Sequence, residues 1–155
     1  MTAALEGRWP DLAGRIDGGR HILPVRVYFE DTDFSGLVYH ASYLRWCERG
    51  RSDFLRLLGV RHSDLIAPES GEPAAFVVRR LEIDYLRPAR IDDVLEVVSA
   101  CAEIGGAHIL LAQEIRRGET LLCKLTVKVV LVGQSGKPMR LPAPARAAFA
   151  ATASR

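Results

Sequence analysis

The 155-residue sequence contains no stretch of about 20 consecutive apolar residues, the length a membrane-spanning helix requires. Its first twenty residues, MTAALEGRWPDLAGRIDGGR, have neither the basic start nor the continuous apolar run of a secretory signal. Cysteine is scarce. Cys47, Cys101 and Cys123 form no paired framework, and each sits in an apolar run, as buried thiols of a reducing compartment do. Charge of one sign is not concentrated either: the 21 basic residues are scattered and the formal net charge is +2, which gives no nucleic-acid-binding surface. No internal repeat is present. The expectation is a cytoplasmic protein with no stable membrane insertion and no nucleic-acid partner. Its 48% hydrophobic content and its length suit one domain with a sizeable core.

Residues 1–21 are rich in glycine and charge, lack a clear period, and read as a loose extension. Residues 143–155, APARAAFAATASR, read as a frayed helix or tail. Between them, residues 22–142 carry regular patterns. HILPVRVYFE alternates, with Val25, Val27 and Phe29 on one side, and predicts a strand. In ASYLRWCERGRSDFLRLLGV, Tyr43, Cys47, Gly50, Phe54 and Leu57/Leu58 recur every three to four residues, one face of an amphipathic helix that Gly59 would stop. Residues 60–73 read as a loop. Four strands follow. Their predicted faces carry Val77, Leu81, Ile83 and Tyr85; then Val94, Val98, Ala100, Ala102 and Ile104; then Ile109, Leu111 and Ile115; then Leu121, Cys123, Leu125, Val127, Val129 and Leu131. Gly105-Gly106 and Arg117-Gly118 supply hairpin turns. The order predicts an α+β fold, one long helix covered by a five-stranded antiparallel sheet. Val130 and Val132, on the opposite sheet face, point to burial against a second subunit.

The segment EDTDFSGLVYH, residues 30–40, admits two functional readings. Asp31, Asp33, Ser35, Gly36 and Val38 fall where a calcium loop places its first ligands, its turn glycine and its aliphatic. Such a loop closes with a bidentate glutamate at its twelfth position, which here is Ser42, and it follows a helix rather than a strand. The calcium reading fails on both counts. In the other reading a helix opens at His40, and its unpaired amides carry partial positive charge beside an aspartate. That pairing suits attack on an activated acyl carbonyl, with an amide holding the oxyanion. A third reading is structural, with Asp31 and Asp33 capping a turn and a helix.

The wording of the segment adds to its chemistry. VRVYFEDTDFSGLVYHASYLRWCERGRSDFLRLLGV resembles the signature of the 4-hydroxybenzoyl-CoA thioesterase family, and is most similar to its YbgC-type acyl-CoA thioesterases, associated with the Tol–Pal system. The similarity continues through AFVVRRLEIDYLRPARIDDVLEV and GKPMRLP, covering roughly residues 22–142. The resemblance implies a hotdog fold that forms homodimers or homotetramers, with acyl-CoA as substrate and an acyl carrier protein as a candidate partner. It implies hydrolysis of the thioester to a carboxylic acid and CoA. The alternative it carries is a thioester-binding or assembly protein of the Tol–Pal system with little turnover. It assigns catalysis to Asp33, as nucleophile or general base. The oxyanion amide falls to His40, whose side chain is also implicated, as is Thr32. Gly36 and Tyr39 complete the motif, and Asp31 orders the turn. It implies no metal and no other cofactor.

Family members hold the CoA nucleotide with basic surface residues. Some place a basic cluster at the turn corresponding to residues 103–107, but here that turn reads EIGGA. Arg79, Arg80, Lys124 and Lys128 are then candidates by strand position. Cys47 lies seven residues from His40, about 10 Å along a helix, too far for a thiol–imidazole pair. Glu48 reads as a structural partner of a neighbouring arginine. His21, His62 and His108 read as surface or turn residues.

Overall fold

The computed structural model describes residues 7–9, 12–69 and 71–153. Strand β1 (Arg15–Asp17) turns through Gly18-Gly19 into β2 (Arg20–Arg26). A single 3-10 turn at Phe29–Asp31 and a loop lead to the long helix α1 (His40–Leu57). A short helix α2 (His62–Ile66) follows, then β3 (Ala74–Tyr85), β4 (Val94–Ile104), β5 (His108–Arg117), β6 (Thr120–Gly133) and helix α3 (Ala143–Ala153). The strands form one sheet in the order β1-β2-β4-β5-β6-β3, antiparallel at every pairing.

This is the α+β hotdog arrangement, with six strands where the sequence predicts five. The added strand, β1, is three residues long, too short for alternation to reveal it. It lies inside residues 1–21, and the sequence boundary after residue 21 falls within β2. Residues 1–6, 10 and 11 lie outside the described residues.

Helix α1 buries Tyr43, Trp46, Cys47, Gly50, Phe54 and Leu55 against the sheet. Opposite them stand Leu95 and Val97 of β4, Ile109, Leu111 and Ile115 of β5, and Cys123, Leu125, Val127 and Leu131 of β6. Each such side chain contributes about 1.5–3 kcal/mol by leaving water, so truncating Trp46 or Phe54 to Ala costs about 3–5 kcal/mol. Gly50 sets how closely helix and sheet approach: a Cβ there would stand 3.0 Å from Val97 Cγ1 and 3.3 Å from Ser99 Oγ. Phe149 of α3 closes the end of the core, its ring 6.0 Å from that of Phe54.

Several side chains face otherwise than periodicity predicts. On β4 the buried set is Leu95, Val97, Ser99 and Cys101, not Val94, Val98, Ala100, Ala102 and Ile104. Both faces of β4 carry apolar residues, and Ser99 disguises the inner one. Its burial is satisfied by a hydrogen bond from Gln113 Nε2 (2.8 Å). On β3 a bulge between Val78 and Arg80 shifts the register, so Phe76 shares the inner face with Leu81 and Ile83, and Val77 is left exposed. Phe29 lies in the 3-10 turn and is exposed. Residues 62–66 are helical rather than loop. Val130 is already buried within the chain.

His21 is not a surface residue: it is fully buried on β2. Its Nε2 lies 2.6 Å from Asp53 Oδ2, and its ring stacks on Phe54. Asp53 also accepts the Gly14 amide (2.8 Å) and pairs with Arg56, so it fastens the β1 edge to α1. Burial holds the His21 pKa below its ordinary value despite the carboxylate beside it. A neutral ring donating to Asp53 fits that balance.

Candidate active site

The loop before α1 is built by hydrogen bonds that its sequence supplies. The Asp31 carboxylate turns back to accept the Tyr28 amide (2.9 Å), and its carbonyl accepts the Tyr39 amide (2.8 Å) and the Ser42 hydroxyl (3.3 Å). Asp33 exchanges backbone bonds around a tight turn: its amide donates to Leu37 (3.0 Å) and its carbonyl accepts from Gly36 (3.1 Å). Gly36 has φ +83°, a left-handed conformation that side chains other than glycine strain to adopt. A Cβ at Gly36 would meet nothing within 4 Å, so the requirement is conformational, not steric.

The turn fixes the Asp33 carboxylate. Oδ1 accepts the Ser35 amide (2.8 Å) and the Ser35 hydroxyl. Oδ2 makes no hydrogen bond among the described residues. The Ser35 bonds, with a smaller contribution from His40, hold the carboxyl below its usual range, so Asp33 is ionised at neutral pH.

Helix α1 opens at His40 beside this carboxylate. The first amides of a helix have no intrahelical acceptor. The Ser42 amide bonds to the Tyr39 carbonyl (2.9 Å), while those of His40 and Ala41 have no acceptor among the described residues. Three contacts pin the helix start to the end of β3 and the segment after it: Tyr85 Oη donates to the His40 carbonyl (2.9 Å), Val38 N donates to Ala89 O (3.0 Å), and Ala89 N donates to Tyr43 Oη (2.9 Å). A cavity of about 350 Å³ opens between them, lined by Asp33, Ser35, His40, Tyr43, Tyr85 and Arg87 among others. It therefore brings together a free carboxylate oxygen, a helix-opening residue with unpaired amides, and a cation.

A family model of the Thioesterase superfamily (4HBT) matches residues 35–124, more than half of the chain. The chain belongs to this superfamily. It is 44% identical to the acyl-CoA thioesterase YbgC of Haemophilus influenzae over 127 residues, 81% of this chain and 91% of that protein. It is 43% identical to the acyl-CoA thioester hydrolase YbgC of Escherichia coli O157:H7, over 77% of this chain and 87% of that one. Among solved structures it is similar to a probable thioesterase from Bartonella henselae, with a TM-score of 0.77 and 45% identity over 79% of this chain and 99% of that one.

Of the residues singled out in the sequence, Asp33 and His40 line the cavity. Thr32 stands behind it, its hydroxyl donating to the Phe29 carbonyl (2.7 Å). Tyr39 packs its ring 4.5 Å from that of His40, outside the lining residues. Gly36 acts through the turn. Arg79, in the β3 bulge, and Lys124, on β6, are exposed on their strands and do not line the cavity. Sequence reasoning missed Tyr85 and Arg87, at the end of β3. DYLRP carries no signal of their role in its spacing: β3 ends at Tyr85, and the Leu86 and Arg87 amides still donate to the Leu122 carbonyl. Glu48 makes no close ion pair among the described residues, but its charge acts on the neighbouring Arg51. Cys47 is fully buried, and its hydrogen bond with Cys123, together with burial, pushes its thiol far up, which removes it as a nucleophile. Among the described residues no helix is long and apolar enough to cross a membrane.

Proposed function

We propose that this chain hydrolyses acyl-CoA thioesters to a carboxylic acid and free CoA, the reaction named for its YbgC relatives. The observation that carries the reading is the single cavity where the ionised, half-bonded Asp33 carboxylate meets the unpaired amides at the start of α1. The thioester carbonyl sits with its oxygen toward the His40 amide, where backbone dipole and free N–H stabilise the charge that develops in the transition state. Asp33 Oδ2 attacks the carbonyl carbon or takes a proton from a water that does. Either route expels the CoA thiolate; after direct attack, water then hydrolyses the acyl–Asp33 anhydride, which releases the carboxylic acid and restores the carboxylate. His40 and Thr32 support the site, His40 beside the acyl carbonyl and Thr32 by holding the turn. Gly36 and Tyr39 shape the approach, and Arg87 faces the CoA phosphates, with Arg79 and Lys124 as outlying cations.

The active unit is a homodimer, with pairs joining as a homotetramer. Supporting this is β3, an edge strand of the sheet that exposes Val77 and Val78; such an edge invites pairing with a second copy. The cytoplasm is the proposed compartment, in keeping with three free, buried cysteines. Association with the Tol–Pal system and with an acyl carrier protein is proposed by analogy with the YbgC-type proteins.

Free-thiol release across a panel of acyl-CoAs, short to long and aliphatic to aromatic, tests the reading. Turnover of at least one class, lost in Asp33→Asn, is expected. Tight binding of thioesters without thiol release would assign the chain to a carrier or assembly role.

A further inference from the structure

A second cavity, of about 170 Å³, lies beneath the middle of α1. None of the residues lining the Asp33 cavity lines it. Its walls are apolar, with Leu55 of α1, Phe76 of β3, Ile109 of β5 and Phe149 of α3. One cation interrupts them. Arg51 is only 8% exposed, yet it makes no ion pair among the described residues. Its one hydrogen bond there runs from Nη1 to Gln113 Oε1 (2.9 Å). Gln113 is neutral, and its own amide is spent on the Cys47 carbonyl (2.9 Å) and Ser99 Oγ (2.8 Å).

A guanidinium carries five N–H donors in a planar fork suited to a carboxylate. None of the Arg51 nitrogens is a buried atom without a partner, so its free donors open to the cavity, where a carboxylate would complete them better than Glu48, which acts on the cation without pairing with it. Two further groups bear on the choice of ligand. His62 also lines the cavity, with a buried Nε2 that has no hydrogen-bond partner among the described residues and a ring edge-on to Phe76. Glu48, three residues before Arg51 and exposed, lies at the rim and is the one carboxylate lining the cavity; its charge opposes an incoming anion. The volume is close to the roughly 150 Å³ of an apolar cavity that holds a benzene ring. Inorganic phosphate would leave the apolar walls unused.

We propose that this cavity binds a small carboxylate on an apolar or aromatic body, the carboxylate forked onto Arg51 and the body held between Leu55, Phe76, Ile109 and Phe149. Two sources supply that chemistry: a free acid, or an acyl group bearing its own distal carboxylate on an incoming thioester. Only the second source rests on the proposed hydrolysis.

Calorimetric titration of the full chain with benzoate and hexanoate, against benzamide and hexanamide as uncharged controls, tests the proposal without turnover. The acids are expected to bind at least tenfold more tightly than the amides. Arg51→Met should bring the acids down to the amide level, Arg51→Lys should retain part of the preference, and Glu48→Gln should tighten acid binding several-fold. Asp33→Asn should leave all of this unchanged. Ile109→Phe, which fills the cavity with Arg51 in place, should abolish binding, and it decides the matter should Arg51→Met not fold. Comparing glutaryl-CoA with hexanoyl-CoA identifies the source. A selective loss of glutaryl-CoA turnover of about tenfold in Arg51→Met marks the acyl group, and parallel turnover with acid binding intact in the wild type marks the free acid. Acids that bind no better than amides, or binding indifferent to both Arg51→Met and Ile109→Phe, would overturn the proposal.

Discussion

Ser35 gives both its amide and its hydroxyl to one oxygen of Asp33, leaving the other oxygen free at the cavity. A side chain two residues away thus sets both the orientation and the ionisation of the candidate catalytic group. The Ser35 hydroxyl and amide bonds are the two largest causes that hold the exposed Asp33 carboxyl below its ordinary range. Ser35→Ala keeps the amide bond and loses the hydroxyl. The wild-type acid limb should lie below the ordinary aspartate range near pH 4. In Ser35→Ala it should move upward, with kcat/KM at neutral pH falling by about tenfold. A pH–rate profile of both proteins checks this, and an unmoved limb would show that Ser35 does not govern Asp33.

Tyr85 ties the end of β3 to the start of α1 through the His40 carbonyl. Tyr85→Phe removes one partly exposed hydrogen bond, with a stability cost of about 0.5–1.5 kcal/mol. The larger effect is expected on kcat, up to about tenfold, because the helix-opening amide loses its fixed position. Chemical denaturation alongside steady-state kinetics separates the two. Equal losses from global unfolding would remove Tyr85 as a positioning residue.

The burial of His21, only partly offset by Asp53, makes stability fall in acid. Burial depresses the folded-state pKa of His21, so the unfolded chain binds a proton that the folded one resists. Stability is then full above about pH 6.5 and declines as pH drops toward the folded value. Burial would raise the Asp53 pKa, but its bonds to His21, Gly14 and Arg56 outweigh that and lower it. Its contribution is therefore lost further down, below about pH 4. Denaturation at pH 7 and pH 5 should show the drop in the wild type and a flatter response in His21→Gln. Asp53→Ala should cost about 1–3 kcal/mol at pH 7, because it strands the buried His21 and the Gly14 amide.

Arg87 stands at the cavity, and Arg79 and Lys124 stand away from it. Each is a screened surface charge, for which about 0.2–1 kcal/mol is the usual scale. Arg87→Ala should raise KM for CoA thioesters by about two- to fivefold, and more than Arg79→Ala or Lys124→Ala does. Kinetics of the three variants at low and moderate salt decide the order. A larger effect at Lys124 would place the CoA nucleotide on β6.

The long helix and the outer limits of β5 and β6 were legible because their apolar residues keep one period, even where Gln113 interrupts the inner face of β5. Phe76 and Val77 show where that fails. A single bulge beyond them exchanges the faces of β3, and nothing in the spacing of apolar residues marks it. Ser99 shows a second failure. A polar residue hides an inner face when its hydrogen-bond partner, Gln113, comes from another strand. His21 is a third, since its acidic companion Asp53 lies 32 residues away. At the candidate site, turn and helix start are neighbours in sequence, so Asp33 and His40 could be set side by side, while the choice among the readings that spacing left open came from the resemblance to the thioesterase family. Tyr85 and Arg87 were not, because only the docking of β3 against α1 brings them there.

The most direct test of the central claim is the rate of CoA thiol release by Asp33→Asn beside the wild type on the best acyl-CoA substrate, with folding verified by its melting profile. Asparagine keeps the shape of the side chain and the Ser35 amide bond but cannot act as nucleophile or base. A loss of at least a hundredfold in kcat with an unchanged fold is predicted. Turnover within a few-fold of the wild type would contradict the assignment of Asp33 to the chemistry.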